Sequence, residues 1–463
     1  MVEFIHSMLN FKKMSPAQKI AASFLLVILC GTLLLMLPIS NVDGNFMNPI
    51  DALFSATSAT CVTGLSTINV SEQLNLFGQI VLMLLIQIGG LGLMTFMAVF
   101  LLIIKSRLSL NEKIVMKEML NQEHVFNMKK FIVDILYYTL FFETIGAILL
   151  SIPMIEQYGL FDGSFKAIFL AVSAFCNAGF DTLGSTSLQA YADQPLICFT
   201  IMALIVLGGL GFAVWFDVRD KLVSLVKGKL AWKKFRRSLS LHTKLVLFVT
   251  FLLIVSGALF IVVFEYNNSA TLGNMPFPQK IMCGLFESIS LRTAGFTSIN
   301  YGALQSQTSL IMMVLMFIGG CPGGTAGGIK TTTFIILVIY IIGMLKGSKQ
   351  TVVFRRAIEE SIVIRAMGIF FLNLVVLFVG VLLLCIIQSQ DFLSIAFECV
   401  SALATVGSSL GLTEDLEALG KLVIICMMYI GRIGISTLVL SMMRQRSFDE
   451  NKISLPKGNI IVG

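Results

Sequence analysis

The chain has 463 residues, of which 56% are apolar and 13% charged, with a formal charge of +7. Charge at about half the share of an ordinary globular protein excludes a soluble fold, a disordered chain and a cytosolic enzyme. The positive excess is gathered in a few segments between apolar stretches, which leaves nucleic-acid binding without support and points to a polytopic membrane protein.

In chain order, residues 1–18 are polar and amphipathic, with no cleavable signal pattern, and lead into a first apolar span at 20–39. A short stretch rich in small residues, Pro49–Thr63, precedes a second span at 76–104. The same order recurs three times: 131–152, Ser164–Ala178 and 195–216; then 245–264, Gln279–Ala294 and 303–345; then 366–390, Asp391–Val406 and 420–443. Each longer span reaches the roughly 20 residues that cross a bilayer, and each short stretch suits a helix that dips in and returns.

Of the 33 Lys and Arg, 27 fall before residue 20, in 105–130, 217–244 and 344–366, and after residue 443. The positive-inside bias makes those five segments, and both termini, cytoplasmic. Acid-biased stretches around Asp43, Glu72, Asp162, Asp181, Asp193, Glu265, Glu414 and Glu417 belong outside. The basic run Lys229, Lys233, Lys234, Arg236, Arg237 reads as an anchor beside membrane lipid. The nine cysteines are scattered singly through apolar stretches and read as small hydrophobes.

Two markers recur in phase. Each short stretch ends in a glycine string: Thr60-Cys61-Val62-Thr63-Gly64, Cys176-Asn177-Ala178-Gly179-Phe180, Arg292-Thr293-Ala294-Gly295-Phe296 and Ala404-Thr405-Val406-Gly407, spaced 115, 116 and 112 residues apart. Second clusters follow 25, 29, 24 and 24 residues later, at Gly89-Gly90-Leu91-Gly92, Gly208-Gly209-Leu210-Gly211, Gly319-Gly320-Cys321-Pro322 and Gly431-Arg432-Ile433-Gly434. Two crossings and a re-entrant loop return the chain to its starting side, so four copies are parallel around an axis along the membrane normal. The expected fold is an all-α polytopic membrane protein: four parallel helix–pore-loop–helix repeats around a central ion pore, with eight crossings and four re-entrant pore helices. The units are 19–104, 131–217, 243–345 and 362–443, between cytoplasmic segments 1–18 and 444–463.

The strings share their glycine and little else, so a site read through side chains does not fit. Backbone carbonyls turned to one axis do fit, because glycine reaches φ > 0 without steric cost. Carbonyl rings replace the hydration shell of a monovalent cation, and four helix C-termini aimed at the path favour positive charge. Val62, Thr63, Gly64, Asn177, Ala178, Gly179, Thr293, Ala294, Gly295, Thr405, Val406 and Gly407 are the candidate filter residues. The competing reading is a set of glycine helix C-caps.

The third unit is irregular. As one helix, Ala303–Gly343 would run about 60 Å, yet 319–328 holds six glycines and a proline and must break. Irregular backbone at that depth lines protein or a water-filled cavity, which places Gly319, Gly320, Gly323, Gly324, Gly327 and Gly328 in a gating loop below the filter. A phosphate-binding loop is excluded, since Ile329 stands where that motif needs lysine. Tight helix packing is the competing reading. Lys330 and Arg432 are basic groups inside apolar spans, each costing roughly 2.5–3.5 kcal/mol unless paired or hydrated. Arg432 is expected to donate to freed loop carbonyls, or else to pair with a buried acid such as Glu143. Arg292, Glu287 and Glu398, in the short helices, are expected to brace the filter without touching ions.

The four strings, the glycine-rich break and Arg432 together resemble the Trk/Ktr/HKT superfamily of potassium transporters, most of all the bacterial Ktr membrane subunit. The resemblance runs from about residue 19 to Ile460-Ile461-Val462-Gly463. It implies potassium as cargo, filter glycines at Gly64, Gly179, Gly295 and Gly407, and gating by 319–328. It further implies a homodimer with one pore per subunit and a cytosolic ring of nucleotide-binding regulatory subunits docked on the basic loops, with no nucleotide on this chain. Gly64 departs from relatives that carry serine there and tend to favour sodium. The two extra N-terminal helices usual in the Trk type are missing, which favours Ktr; sodium stands as a candidate coupled or activating ion. A transporter of an organic solute would be expected to show a charged midplane site. A membrane enzyme would need a catalytic set, whereas His6, His124 and His242 lie in polar stretches.

Overall fold

The structure is a computed structural model that describes residues 16–92, 128–184, 186–228, 231–348, 350–435 and 437–438. The segment 1–15, the end of the expected span 76–104, most of the basic stretch 105–130 and the tail 444–463 lie outside the described residues.

Four long apolar helices recur along the chain. They are α1 (Pro16–Met36), α5 (Met128–Tyr158), α10 (Leu241–Glu265) and α14 (Glu360–Ile387). At 1.5 Å per residue, each is long enough to cross about 30 Å of hydrocarbon. Their outer faces leave Leu33, Phe141, Phe251 and Phe378 exposed, as lipid-facing helices do.

A short helix follows each long one: α2 (Pro49–Cys61), α6 (Leu160–Cys176), α11 (Phe277–Ser290) and α15 (Phe392–Ala404). Local chemistry sets their starts. Asn48 accepts from the Ile50 amide and Asp391 from the Leu393 amide, proline occupies the first turns of α2 and α11, and Asp51 and Asp162 complement the N-terminal dipole.

The third members correct the sequence reading. Among the described residues, four helices are long and apolar enough to cross a membrane unaided, or five with one bent pair, where eight crossings with a break in the third unit alone were expected. The helices α4 (Leu76–Leu91), α7 (Pro195–Gly209), α12 (Ser306–Phe317) and α16 (Ala418–Ile433) have 12–16 residues. Two of them, α4 and α16, are capped by the last glycine of the second cluster and α7 ends two residues before it, with φ of +78° at Gly92, +85° at Gly434 and +88° at Gly211. After Gly211 the chain continues as α8 (Phe212–Val226) at 98° to α7. A break was expected only at 319–328, where glycine density is extreme; single glycines impose the same turn through φ alone.

A four-residue helix, α3 (Val70–Gln73), precedes α4, and α9 (Trp232–Ser238) links α8 to α10. Beyond the break in the third unit come α13 (Thr331–Leu345) and the hairpin β1 (Val352–Val353) and β2 (Arg356–Ala357).

Packing between groups is cyclic. Helix α4 packs on α6, α7 on α11, α12 on α15, and α16 returns to α2. The closing junction carries an ion pair, Lys421 Nζ to Asp51 Oδ1 at 2.6 Å, whose carboxylate also accepts from Thr67 Oγ1 at 2.8 Å. Apolar clusters fill each junction: Val62 lies with Ala178 and Phe180, Phe175 with Ala294 and Phe296, Leu291 with Val406, and Cys61 with Leu403.

Candidate functional site

The C-termini of the four short helices share a backbone signature. Residues two before each string glycine have positive φ: +57° at Val62, +59° at Asn177, +74° at Thr293 and +52° at Thr405. The glycines follow at +96°, +72°, +78° and +97° for Gly64, Gly179, Gly295 and Gly407. Val62, Asn177 and Thr405 are themselves the left-handed helix caps. The glycine C-cap reading is therefore corrected: non-glycine residues end three of the helices, and the glycines serve a second turn. Three of the four left-handed residues are β-branched, a conformation that costs roughly 1–3 kcal/mol and clusters at functional sites.

What the glycines meet explains them. A β-carbon on Gly64 would lie 2.5 Å from the Ala178 carbonyl oxygen, and one on Gly179 would lie 2.5 Å from that of Ala294. One on Gly295 would land on the Val406 oxygen, and one on Gly407 on the Thr63 oxygen. The contacts close into a cycle in chain order, so each glycine seats the carbonyl that precedes the next glycine. The side chains turn away: Val62, Ala178, Ala294 and Val406 are buried in the junction clusters. The hydroxyls of Thr63, Thr293 and Thr405 are buried with no hydrogen-bond partner.

Above this ring opens a cavity of about 690 Å³ lined by all four glycines and by Glu72, Asp181 and Glu414, with no Lys or Arg among the described residues of its wall. Such a wall concentrates cations. Behind the ring, Glu287 accepts from the Ser298 amide and hydroxyl at 2.7 Å each and from the Tyr301 hydroxyl. Glu398 accepts from Ser409 Oγ at 2.7 Å and Thr413 Oγ1 at 2.5 Å. Both carboxylates tie a short helix to the loop that leaves the string, as a brace does. Glu287→Ala should strand these donors at roughly 1–3 kcal/mol each. A lower melting temperature in detergent with reduced cation discrimination is expected; an unchanged protein would remove the brace role.

The segment 319–328 sits against the second, third and fourth groups. Cys321 N donates to Gly209 O at 3.0 Å, Thr325 N to Gly208 O at 3.2 Å, and Phe212 N to Gly323 O at 3.0 Å. Thr325 Oγ1 reaches Asn177 Oδ1 at 3.0 Å and Phe175 O at 3.2 Å, just below the second string. A β-carbon on Gly327 would strike Thr405 of the fourth string, one on Gly319 the Gly327 carbonyl, and one on Gly320 the Ala326 side chain. Gly324 lies against Gly208 and Gly211, while Gly323 and Gly328 take φ of +72° and +67°.

Arg432 spans the gap between groups, donating through Nη1 to Thr325 O and through Nη2 to Gly89 O. The pairing with Glu143 is not present; that carboxylate accepts from Gln87 Nε2 at 3.2 Å. Lys330 donates to Ala326 O at 2.6 Å and so folds the segment on itself. Arg292 faces the segment: its Nη2 lies 4.0 Å from Cys321 Sγ. Sequence reasoning missed Thr325 and Glu265. The latter is buried, accepting from Asn268 Nδ2 and Thr271 Oγ1 at 2.7 Å each, from Gln305 N at 3.0 Å and from Thr308 Oγ1. Its place at the end of an apolar span was the available signal.

The sequence profile of the TrkH family, described as cation transport protein, matches residues 2–451. The chain is 38% identical over 455 residues to the Ktr system potassium uptake protein B of Bacillus subtilis, covering 98% of both chains. It is 41% identical over 456 residues to the potassium/sodium uptake protein NtpJ of Enterococcus hirae, again covering 98% of both. Among solved structures, the potassium transporter TrkH from Vibrio parahaemolyticus matches with a TM-score of 0.69 at 21% identity, over 94% of this chain and 86% of that one. That likeness establishes the fold. Span-length apolar helices, a cyclic helix arrangement and a full-length profile match agree, and the chain belongs to the TrkH family of cation transport proteins.

Proposed function

We propose that the chain takes up potassium across the cell membrane through a pore on the axis of the glycine ring. The closed cycle of glycine-to-carbonyl contacts carries this reading, because it links four backbone oxygens in turn beside an acid-walled mouth. Potassium is the substrate, held by carbonyls in place of water. The four units 19–104, 131–217, 243–345 and 362–443 are parallel repeats, and Val62–Gly64, Asn177–Gly179, Thr293–Gly295 and Thr405–Gly407 form the selectivity filter. The segment 319–328 is the gate, held shut by Arg432 and by the fold that Lys330 imposes.

Regulation comes from partners. The subunit pairs with a second copy in membrane lipid, both termini are cytoplasmic, and a ring of nucleotide-binding subunits docks on the basic cytoplasmic loops, the stretch of α8 and α9 apart. Sodium is a coupled or activating ion; the relative named as a potassium/sodium uptake protein supports giving it a role. Expression in a cell lacking its own potassium importers should restore growth at low potassium and support rubidium uptake, measured with and without sodium. No rescue and no uptake, with protein present in the membrane, would reject the proposal.

A further inference from the structure

The segment between α8 and α10 is not used by the pore. Helix α9 carries Lys233, Lys234, Arg236 and Arg237, all exposed, in seven residues with no acid. Its aromatic pair, Trp232 and Phe235, stacks with ring centroids 6.1 Å apart at 15°, and Trp232 is 74% exposed. Two residues further on the span α10 begins, so α9 stands at the boundary between bilayer and water. Helix α8 runs at 98° to α7 and leaves Leu222, Val223 and Val226 exposed on one face. Large apolar side chains beside clustered Lys and Arg, on a helix lying across the direction of α7 and on the short helix that follows it, are the pattern of an interfacial element.

We propose that α8 and α9 form a binding site for anionic phospholipid headgroups and pass its occupancy to the segment 319–328. Charge complementarity selects the occupant: four cations without a counter-carboxylate on α9 match a phosphodiester, and a stacked Trp–Phe pair suits the interfacial depth. The transmission path is fixed at each joint. Lys244 Nζ holds Arg237 O at 2.9 Å, and Ser240 N holds Asp217 Oδ2 at 2.9 Å, tying α9 and α10 to α8. Arg219 pins α8 to Asp134 of α5 at 2.9 Å. At its other end α8 begins with Phe212, whose amide is bonded to Gly323. The effect on transport rests on that segment being the gate; the binding does not.

Trp232 is its own reporter, since the chain has two tryptophans and a Trp232→Phe protein supplies the share of Trp215. The full-length protein is reconstituted in equal parts phosphatidylglycerol and phosphatidylcholine, with brominated acyl chains carried by one lipid or the other. Bromine on phosphatidylglycerol should quench Trp232 roughly twofold more strongly than bromine on phosphatidylcholine. Joint Lys233→Gln, Lys234→Gln, Arg236→Gln and Arg237→Gln replacement should bring the two to parity. Equal quenching in the native protein overturns the site, and so does absence of quenching from either lipid, the result a water-facing helix docked to a protein would give. Rubidium influx should rise with the phosphatidylglycerol fraction and lose that dependence in the fourfold variant; selective quenching beside an indifferent influx overturns the transmission. Quenching needs no transport, so it separates failure of this site from failure of the gate.

Discussion

Gly407→Ser is expected to lower the preference for potassium over sodium at least tenfold while protein still reaches the membrane. At Gly407 φ is +97° and the added β-carbon would land on the Thr63 carbonyl oxygen. Either the oxygen moves off the axis or the string changes conformation, and both alter the ring. Left-handed backbone alone costs an L-residue about 1–2 kcal/mol, and 1.4 kcal/mol is already a factor of ten. The same reasoning covers Gly64, Gly179 and Gly295, with an order. Values of +96° and +97° at Gly64 and Gly407 lie beyond the left-handed basin near +50° to +70°, whereas +72° and +78° at Gly179 and Gly295 lie close to it. Serine should therefore be worse tolerated in the first and fourth strings than in the second and third. Competition of potassium and sodium against rubidium uptake measures both effects. Unchanged selectivity at all four positions would sink the carbonyl ring.

Arg432→Ala is expected to raise rubidium flux several-fold at equal protein in the membrane. The guanidinium joins Thr325 O of the segment to Gly89 O of α4, and its removal leaves Thr325 O without a donor, at roughly 1–3 kcal/mol, and Gly89 O with only the Gly92 amide. It also withdraws a positive charge from beneath the ring. Thr325→Val, which frees the segment from Asn177 and Phe175, should act in the same direction, as should deletion of Gly323 and Gly324. If flux merely follows protein abundance in all three, the glycines of 319–328 serve packing and the gate reading falls.

Several of these features were legible in the residues themselves because they recur. The strings at Gly64, Gly179, Gly295 and Gly407 and the clusters beginning at Gly89, Gly208, Gly319 and Gly431 recur in phase, and a backbone constraint repeated four times survives loss of side-chain identity. The link from Arg432 to the segment was also readable, since a cation in an apolar span needs an acceptor. Other features were hidden for a physical reason. A helix break at Gly92 or Gly434 depends on one φ, and the surrounding Leu and Ile still read as span. That Val62, Asn177 and Thr405 cap the helices was hidden too, because valine and threonine are poor left-handed residues that the surrounding packing holds in place. Contacts such as Thr325 to Asn177 join residues 148 positions apart, and local pattern carries no trace of them.

The cyclic packing has a consequence for biosynthesis. Gly407 seats the Thr63 carbonyl, α16 covers α2, and Lys421 neutralises Asp51, a partner 370 positions earlier in the chain. At about 5–20 residues per second, the first string must wait on the order of 20–70 s for the last one to emerge. Throughout that interval the face of α2 carrying Phe54 and Cys61 has no native neighbour on the α16 side. The first unit therefore enters the bilayer as an unfinished surface, and the ring becomes complete only when the fourth unit arrives.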